Sequence, residues 1–329
     1  MPTALIIGGT RNLGPGIASA LVHRGFQVTV FHRGLTESAA LPDSVERLFG
    51  DRSDAAALGA ALGSRCFDVV IDTTLYTGAD AEAAARVFAG RAGRYVMLST
   101  GQVYLVRPGL ARPFAERDYA GPTTPAPTDS QFDLDNWNYG MHKRAAEDAL
   151  RAASFPVTIL RLPMVNSERD HFHRLKNYLA RLRDRGPMLI PDGPHLLLRH
   201  VYGGDVVRAV MRVVEARVDG TFNVGQDETP TIEELLDHLA ALIAAPKPRI
   251  VRLPVQVLWK RGLMPACSHF SEPWMSALDN RLGKDKLGLT YTPAPIYLET
   301  LVRDYEAHPA LPAGYERRAE ELALATAER

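Results

Sequence analysis

The sequence predicts an α/β protein built on a doubly wound parallel sheet, with a smaller C-terminal lobe. Three observations predict this class. An apolar strand opens the chain and runs into a glycine-rich turn and a helical pattern. Short apolar runs then alternate with further helical patterns, as a parallel sheet with crossover helices requires. Finally, 46% of the 329 residues are hydrophobic, enough to bury a large core.

The first strand and the turn after it predict a dinucleotide site. Thr3 to Ile7 is the strand, residues 8–14 contain three glycines, and Ile17 to Val22 repeats with helical period. Glycines let the backbone approach a pyrophosphate, and a helix N-terminus binds its charge. We therefore expect a Rossmann-type fold here, although an ordinary strand-to-helix turn has the same pattern. The expected cofactor contacts in the turn are Gly8, Thr10, Arg11, Asn12 and Leu13.

The end of the second strand bears on the choice of cofactor. This strand, Gln27 to Phe31, is followed by His32 and Arg33. An NAD-selective site usually has an acidic residue here for the ribose hydroxyls. A guanidinium there, together with Arg11, suits a 2′-phosphate instead. The sequence therefore favours NADP over NAD, with a solvated surface position as the alternative for Arg33.

Polar residues follow the ends of the remaining predicted strands. These strands are Val45 to Phe49, Phe67 to Ile71 and Tyr95 to Leu98, with helices at Asp54 to Leu62 and Ala79 to Phe88. Because ligands gather outside the carboxyl ends of parallel strands, we expect the polar residues there to share one crevice. They are Asp51, Arg52, Thr73, Thr74, Thr100 and, beyond the fifth strand, Tyr139.

Tyr139 and Lys143 are four positions apart in a helix-favouring run. A helix places such residues on one face, so the phenol and the ammonium meet. A phenol must lose about three pKa units to accept a proton at neutral pH, and a cation about 4 Å away supplies roughly that much. The pair therefore suits a tyrosine that exchanges protons beside a hydride carrier. An exposed helical pair without function has the same spacing, so the context decides.

Several motifs in order resemble the extended, or atypical, short-chain dehydrogenase/reductase superfamily, the group of NAD(P)-dependent epimerases and dehydratases. The resemblance covers most of the chain. The motifs are residues 8–14, Gly50-Asp51-Arg52, Ser99 to Tyr104, Tyr139 to Lys143, Arg161-Leu162-Pro163, Arg199 to Val206 and Thr221 to Gly225.

The resemblance implies roles for individual residues. Tyr139 would transfer the proton, Lys143 would bind the nicotinamide ribose and lower the pKa of Tyr139, and Thr100 would pair with the substrate oxygen, with Ser99 as the alternative hydroxyl. Asp51 is similar to the acid that contacts adenine. Pro163 is similar to the residue that lines the nicotinamide pocket, and Val165 is expected at the cofactor as well.

Departures from the family pattern narrow the range of reactions and substrates that we expect. Arg11 replaces a glycine of the usual loop, which marks the atypical branch. Dehydratases of sugar nucleotides follow the threonine with an aspartate and a glutamate, where this chain has Gly101 and Gln102. Neither exchanges a proton near neutral pH, so dehydration is not expected. Sugar-nucleotide enzymes also continue the arginine-led strand into an asparagine and a tyrosine-glycine-proline turn. In the run from Arg161 to Glu168, Asn166 does not fall on that asparagine position and the turn is absent, which argues against a nucleotide sugar.

The domain division follows from these motifs. We expect an NAD(P)-binding domain over residues 1–165, completed by about 199–226. The smaller substrate-binding lobe would take residues 166–198 and 227–329. Helices are predicted over His171 to Arg185, over Val206 to Val214, after the capping-box pattern Thr231 to Glu234, and over Arg317 to Arg329.

Composition excludes several classes. Lysine plus arginine and aspartate plus glutamate both number 38, so no global basic field exists to attract nucleic acid or anionic lipid. The start resembles no signal peptide, and no apolar run is long enough to span a membrane. Cys66 and Cys267 lack metal-like spacing, and Asp170 to His173 offers no third ligand, so no metal is expected. A cytoplasmic protein, with a homodimer as the superfamily's implied assembly, is the resulting expectation.

The sequence thus predicts an NADP-dependent oxidoreductase or epimerase. It would transfer hydride to or from a carbon bearing a hydroxyl, carbonyl or imine in a small molecule, with Tyr139 as acid/base. An RNA-associated protein of the atypical branch and a redox-silent NADP sensor are the alternatives. The substrate, the direction and the stereochemistry stay open.

Overall fold

The computed structural model describes residues 1–36, 39–193, 197–309 and 311–327. The strands are β1 (Thr3–Ile7), β2 (Gln27–His32), β3 (Glu46–Phe49), β4 (Val69–Asp72), β5 (Tyr95–Thr100), β6 (Val157–Leu162), β7 (Met164–Asn166), β8 (Met188–Pro191), β9 (His200–Tyr202), β10 (Gly220–Asn223) and β11 (Ile250–Leu253). The helices are α1 (Gly14–His23), α2 (Ala55–Leu62), α3 (Gly78–Phe88), α4 (Gln102–Leu105), α5 (Gln131–Arg151), α6 (Arg174–Arg183), α7 (Gly203–Ala216), α8 (Ile232–Leu242), α9 (Val255–Lys260), α10 (Arg281–Leu287), α11 (Ala294–Ala307) and α12 (Arg318–Ala327).

The chain divides into two compact units. The first contains Met1–Val165, Gly203–Gly225 and Ser276–Thr290, and the second contains Asn166–Tyr202, Gln226–Met275 and Tyr291–Arg329.

A seven-stranded sheet forms the centre of the first unit, and its pairings are all parallel. The strand order is β10-β6-β5-β4-β1-β2-β3. The order therefore reverses at β1, which pairs with β2 on one side and with β4 on the other. This is the predicted doubly wound fold, and the reversal opens a crevice at the carboxyl ends of β1 and β4.

The central strands are buried on both faces, which explains their continuous apolar runs. Leu5, Ile7 and Val70 are at most 1% exposed and share one core cluster with Met97 and Leu150. Because α5 contributes Leu150 to this cluster, the core fixes α5 against the sheet. The residues that α5 carries toward the carboxyl edge are thereby held in place.

The sequence-based division was wrong for residues 276–290, which it assigned to the lobe. In the structure they belong to the first unit. The backbone amide of Phe114 donates to the carbonyl of Ala277, and Asn280 donates to the carbonyl of Gly225 at 2.8 Å. These pairings join residues that are far apart in the chain, so no local pattern could reveal them.

The core of the second unit combines apolar side chains with a buried ion pair. Strands β8 and β11 pair in parallel, and the buried cluster includes Leu189, Leu253 and Leu324. A buried ion pair between Arg181 and Glu321, at 2.5 Å, joins α6 to α12. Leu324 and this ion pair therefore fix the C-terminal helix within the unit.

Helix α6 begins at Arg174 rather than at the predicted His171. His173 precedes it with φ 52°, a left-handed conformation that a helix cannot continue through. The Asp170 carboxylate accepts from the amide of Arg174 at 3.2 Å and so satisfies the first amide of the helix. Of the predicted last helix, Glu328 and Arg329 lie outside the described residues.

The predicted capping box at the start of α8 is confirmed. The Thr231 hydroxyl accepts from the amide of Glu234 at 3.2 Å, and the Glu234 carboxylate accepts from the amide of Thr231 at 2.8 Å. Replacing Thr231 by alanine should lower the free energy of unfolding by about 1 kcal/mol, because one helix amide loses its acceptor. Urea denaturation measures this, and T231S, which keeps the hydroxyl, should stay close to the parent protein.

Candidate active site

The glycine loop of the first unit forms a cradle at the N-terminus of α1. Gly8 has φ +91°, and a side-chain carbon there would lie 2.6 Å from the Thr73 hydroxyl and collide with Thr74. Only glycine therefore fits. Leu13 caps α1 without a side-chain hydrogen bond. The Gly14 amide donates to the carbonyl of Arg11 at 2.9 Å and Pro15 has no amide proton, so the Gly16 amide is the donor that this first turn offers to an anion. The loop and helix end fit a pyrophosphate.

The end of β2 places cationic side chains near this cradle. Arg33 is exposed and Arg11 donates from Nε to the Thr36 hydroxyl at 3.0 Å, which joins the glycine loop to the segment after β2. His32 Nδ1 accepts from the amide of Gly34 at 3.2 Å, so in the neutral ring Nε2 carries the proton. Burial, then Arg47, lowers the pKa of His32, which favours that neutral form.

Asp51 and Arg52 have different surroundings. The exposed Asp51 carboxylate accepts from the amide and the hydroxyl of Ser53, which, with Arg33 and Arg52 nearby, lower its pKa. Arg52 instead donates to the buried Asp72 carboxylate at 2.6 Å. Its guanidinium therefore binds the end of β4, a pairing that sequence reasoning missed.

Thr73 and Thr74 line the other side of the cradle, but their polar groups are largely engaged. The Thr73 hydroxyl donates to the carbonyl of Ile7 at 3.0 Å. The Thr74 amide donates to Asp72 at 2.9 Å. Both residues thus fix the ends of β1 and β4 around Gly8, and any contact with a cofactor would use their methyl groups or remaining lone pairs.

Tyr139 and Thr100 come together as their strand and helix predict. The Thr100 hydroxyl lies close enough to the phenol to lower its pKa, and Thr100 Oγ accepts from the backbone amide of Gln102 at 3.2 Å. The hydroxyl of Ser99, the alternative residue, donates instead to the buried Glu147 carboxylate at 2.5 Å. Thr100 is therefore the hydroxyl of β5 that adjoins the phenol.

Lys143 is 3% exposed, one turn after Tyr139 on α5. Its Nζ donates to the carbonyls of Leu75 at 2.7 Å and Leu98 at 3.1 Å. Burial lowers the pKa of Lys143 to about 8, although Asp72 and Glu147 act to raise it. The ammonium therefore titrates close to the physiological range.

The expected lowering of the Tyr139 pKa by Lys143 was wrong for the protein alone. Desolvation, followed by the neighbouring Tyr76, raises the pKa of Tyr139, and only the adjacent Thr100 hydroxyl lowers it. The reason is geometric. Lys143 Nζ lies 5.9 Å from the centre of the Tyr139 ring and spends two of its protons on backbone carbonyls. The phenol is consequently protonated at neutral pH.

A buried ionic network behind the site was also missed. Glu147 is fully buried and accepts from Arg161 at 2.5 Å and from Arg151 at 2.6 Å. Arg161 in turn donates to the hydroxyl of Tyr104 at 2.6 Å. A signal was present in the sequence, since Tyr139, Lys143 and Glu147 recur every fourth residue and so share one face of α5.

The positions that differ from dehydratases are closed or engaged. A side-chain carbon on Gly101 would lie 2.5 Å from Ser276 Cβ and 2.8 Å from Leu278, so an aspartate does not fit there. The side-chain amide of Gln102 donates to the side-chain oxygen of Asn136 at 2.6 Å. Of the remaining predicted residues, Pro163 and Val165 are half-buried at the carboxyl end of β6.

Two features outside this site bear on function. In the described part of the chain no helix combines the length and the apolar character needed to cross a membrane. Among the same residues, no three histidine, cysteine, aspartate or glutamate side chains come together in an arrangement that could hold a metal ion.

Comparisons with known proteins agree with the fold. The model of the NAD dependent epimerase/dehydratase family matches residues 4–225. The 2'-dehydrokanamycin reductase of Streptomyces kanamyceticus is 32% identical over 149 residues, which are 45% of this chain and 38% of that protein. The chloroplast stem-loop binding protein of 41 kDa b from Arabidopsis thaliana is 25% identical over 263 residues, 75% of this chain and 65% of that protein.

The aligned parts thus span less than two thirds of either relative. Among solved structures, the Bordetella bronchiseptica enzyme WbmG in complex with NAD superposes with a TM-score of 0.73. The superposition covers 93% of this chain and 94% of that one at 19% identity. At that identity the likeness shows the fold.

Proposed function

The chain belongs to the NAD dependent epimerase/dehydratase family, and from this premise we propose that it is an NADP-dependent oxidoreductase or epimerase acting on a hydroxyl- or carbonyl-bearing carbon of a small molecule. One observation carries the proposal. The hydroxyls of Tyr139 and Thr100 are neighbours at the carboxyl edge of the sheet, and Tyr139 lies one helical turn from the buried ammonium of Lys143. This edge is where a parallel sheet binds its ligands.

The residues of the first unit fit the cofactor. The cradle that a side chain on Gly8 would fill, and the uncapped start of α1, would hold the pyrophosphate. Lys143 would hold the nicotinamide ribose, and Asp51 the adenine. When bound, the cofactor supplies or accepts the hydride.

The side chains then manage the proton and the developing charge. Tyr139, protonated at neutral pH because burial raises its pKa, donates its proton to the substrate oxygen during reduction. Thr100 donates a hydrogen bond that stabilises the phenolate left behind or the substrate oxygen. The closed space at Gly101 and the engaged amide of Gln102 argue against dehydration.

A carbonyl panel tests the proposal. Purified protein is mixed with NADPH or NADH and with cyclic and open-chain ketones, among them 2′-dehydrokanamycin, the compound in the name of the reductase relative. We expect oxidation of NADPH with at least one ketone, followed by absorbance. Tight NADPH binding without reduction of any ketone would favour a cofactor sensor instead.

The preference for NADP over NAD rests on Arg33. Replacing Arg33 by alanine should raise the Kd for NADPH by about 10- to 100-fold, because one charge-assisted hydrogen bond to the 2′-phosphate is lost. The Kd for NADH should stay the same, and fluorescence titration measures both. R24A is a matched control, since Arg24 ends α1 away from the cradle and pairs with Glu215. Equal effects on both cofactors would contradict the preference.

RNA binding is the second candidate function, because the Arabidopsis relative is named a stem-loop binding protein. The equal numbers of acidic and basic residues oppose it. A titration with stem-loop RNA at low salt separates the two, since salt-sensitive binding would support the RNA function. A cytoplasmic location and a homodimer stay predictions.

A further inference from the structure

Tyr76 lies beside Tyr139 and Lys143, the two principal residues of the candidate site. It follows β4 by four residues and is 50% exposed, a high value for a large aromatic residue. The centre of its ring lies 4.9 Å from Lys143 Nζ and 6.4 Å from the centre of the Tyr139 ring. The carbonyl of the preceding residue, Leu75, accepts from the same ammonium at 2.7 Å.

The ammonium of Lys143 therefore has partners of two kinds, backbone carbonyls and an aromatic ring. The carbonyls of Leu75 and Leu98 take two of its three protons. An aromatic face within about 6 Å attracts a cation through its quadrupole, and more strongly where water is excluded. The ring of Tyr76 meets this distance and is closer to Nζ than the ring of Tyr139.

The charged groups around Lys143 do not make this contact redundant. Asp72 from β4 and Glu147 from α5 favour the ammonium, while Arg52, from the loop after β3, opposes it. Both carboxylates are already neutralised, since Asp72 pairs with Arg52, and Glu147 pairs with Arg151 and Arg161. The aromatic face adds attraction that these paired carboxylates do not supply.

We propose that Tyr76 is a positioning residue that acts through Lys143, its ring keeping the buried ammonium charged and directed at the site. The proposal rests on the proposed function of Lys143. It follows that Tyr76 sets the upper pH limit of activity, because a neutral amine at Lys143 would lose its cationic contribution. The contact with Lys143 also gives a reason for an aromatic residue at a position that is 50% exposed.

Direct titration of Lys143 tests the proposal without using activity. The chain has six lysines, so their labelled side-chain signals can be followed by NMR, and K143M assigns the one of interest. Y76F keeps the ring and should leave the pKa of Lys143 unchanged at about 8. Y76L keeps the site apolar but removes the quadrupole, so the pKa should fall by about one unit. An unchanged value in Y76L would overturn the proposal.

The pH dependence of kcat/KM provides the second readout. In Y76L the alkaline limb should move about one unit lower, while Y76F should restore the parent profile. A merely structural loss would lower the rate equally at every pH, and thermal unfolding of each variant separates that case. If the NMR titration shifts as expected but Y139F retains full turnover, the proposed function fails and the role of Tyr76 on Lys143 stands.

Discussion

Replacing Tyr139 by phenylalanine should lower kcat by about 10²- to 10⁴-fold, the usual contribution of a positioned acid or base. The variant loses only the hydroxyl that meets Thr100, and it keeps the ring and the helix. Binding of NADPH should therefore be unchanged. Steady-state kinetics measures the rate, and fluorescence titration measures the binding.

Y119F is the matched control for this experiment. The Tyr119 hydroxyl donates to Asp148 at 2.7 Å and belongs to the same unit, but its ring packs against arginine side chains away from Thr100. It should turn over like the parent protein. Equal rates in Y139F and the parent, with cofactor bound in both, would show that another group transfers the proton.

The raised pKa of Tyr139 bears on how the rate of the proposed reaction depends on pH. A half-buried phenol that is protonated at neutral pH can donate its proton, as carbonyl reduction requires. Oxidation requires the phenol to lose its proton first, and the nearest cation, Lys143, is itself close to deprotonation with a pKa of about 8. In the proposed reaction the rate of reduction should therefore be higher near neutral pH than at alkaline pH, where Lys143 loses its charge.

The sequence predicted those parts of the molecule that depend on local pattern or on the rule that the carboxyl ends of parallel strands meet at one edge. Thr3–Ile7 matches its prediction because a strand buried on both faces reads as an apolar run. The proximity of Thr100 and Tyr139 was predicted because Thr100 follows the end of a parallel strand and Tyr139 lies beyond it, in what the structure shows to be the middle of α5. Such inferences need no knowledge of distant contacts.

What the sequence could not provide was the environment of each charge. Spacing places Lys143 near Tyr139 but does not reveal that backbone carbonyls of Leu75 and Leu98 hold the ammonium. Arg52 looked like a cofactor contact because its partner Asp72, 20 residues later, becomes visible only when β4 is placed beside β1. Desolvation and pairing are properties of the assembled fold, so the direction of each pKa shift cannot be predicted from the sequence.

Replacing Lys143 by methionine should have two separable effects. Turnover should fall by about 10- to 100-fold, because a charge-assisted contact is lost. The second effect concerns stability, since burial lowers the pKa of Lys143 to about 8, against ~10.4 in an unfolded chain. Between these values the unfolded parent protein holds a proton that the folded one lacks.

The parent protein should therefore gain stability over K143M as the pH rises from 8 to 10.4, by up to about 3 kcal/mol. Below pH 8 both states of the parent are protonated, and the difference between the two proteins should be constant. Urea denaturation at several pH values measures it. K143M also loses the hydrogen bonds to the carbonyls of Leu75 and Leu98, which shifts its free energy of unfolding by an amount that does not depend on pH. The other titrating groups are the same in both proteins, so their contributions cancel in the difference. Parallel curves from pH 7 to 10.4 would mean that Lys143 is solvated as in a free chain, and the buried ammonium on which both Tyr76 and the proposed reaction depend would be lost with it.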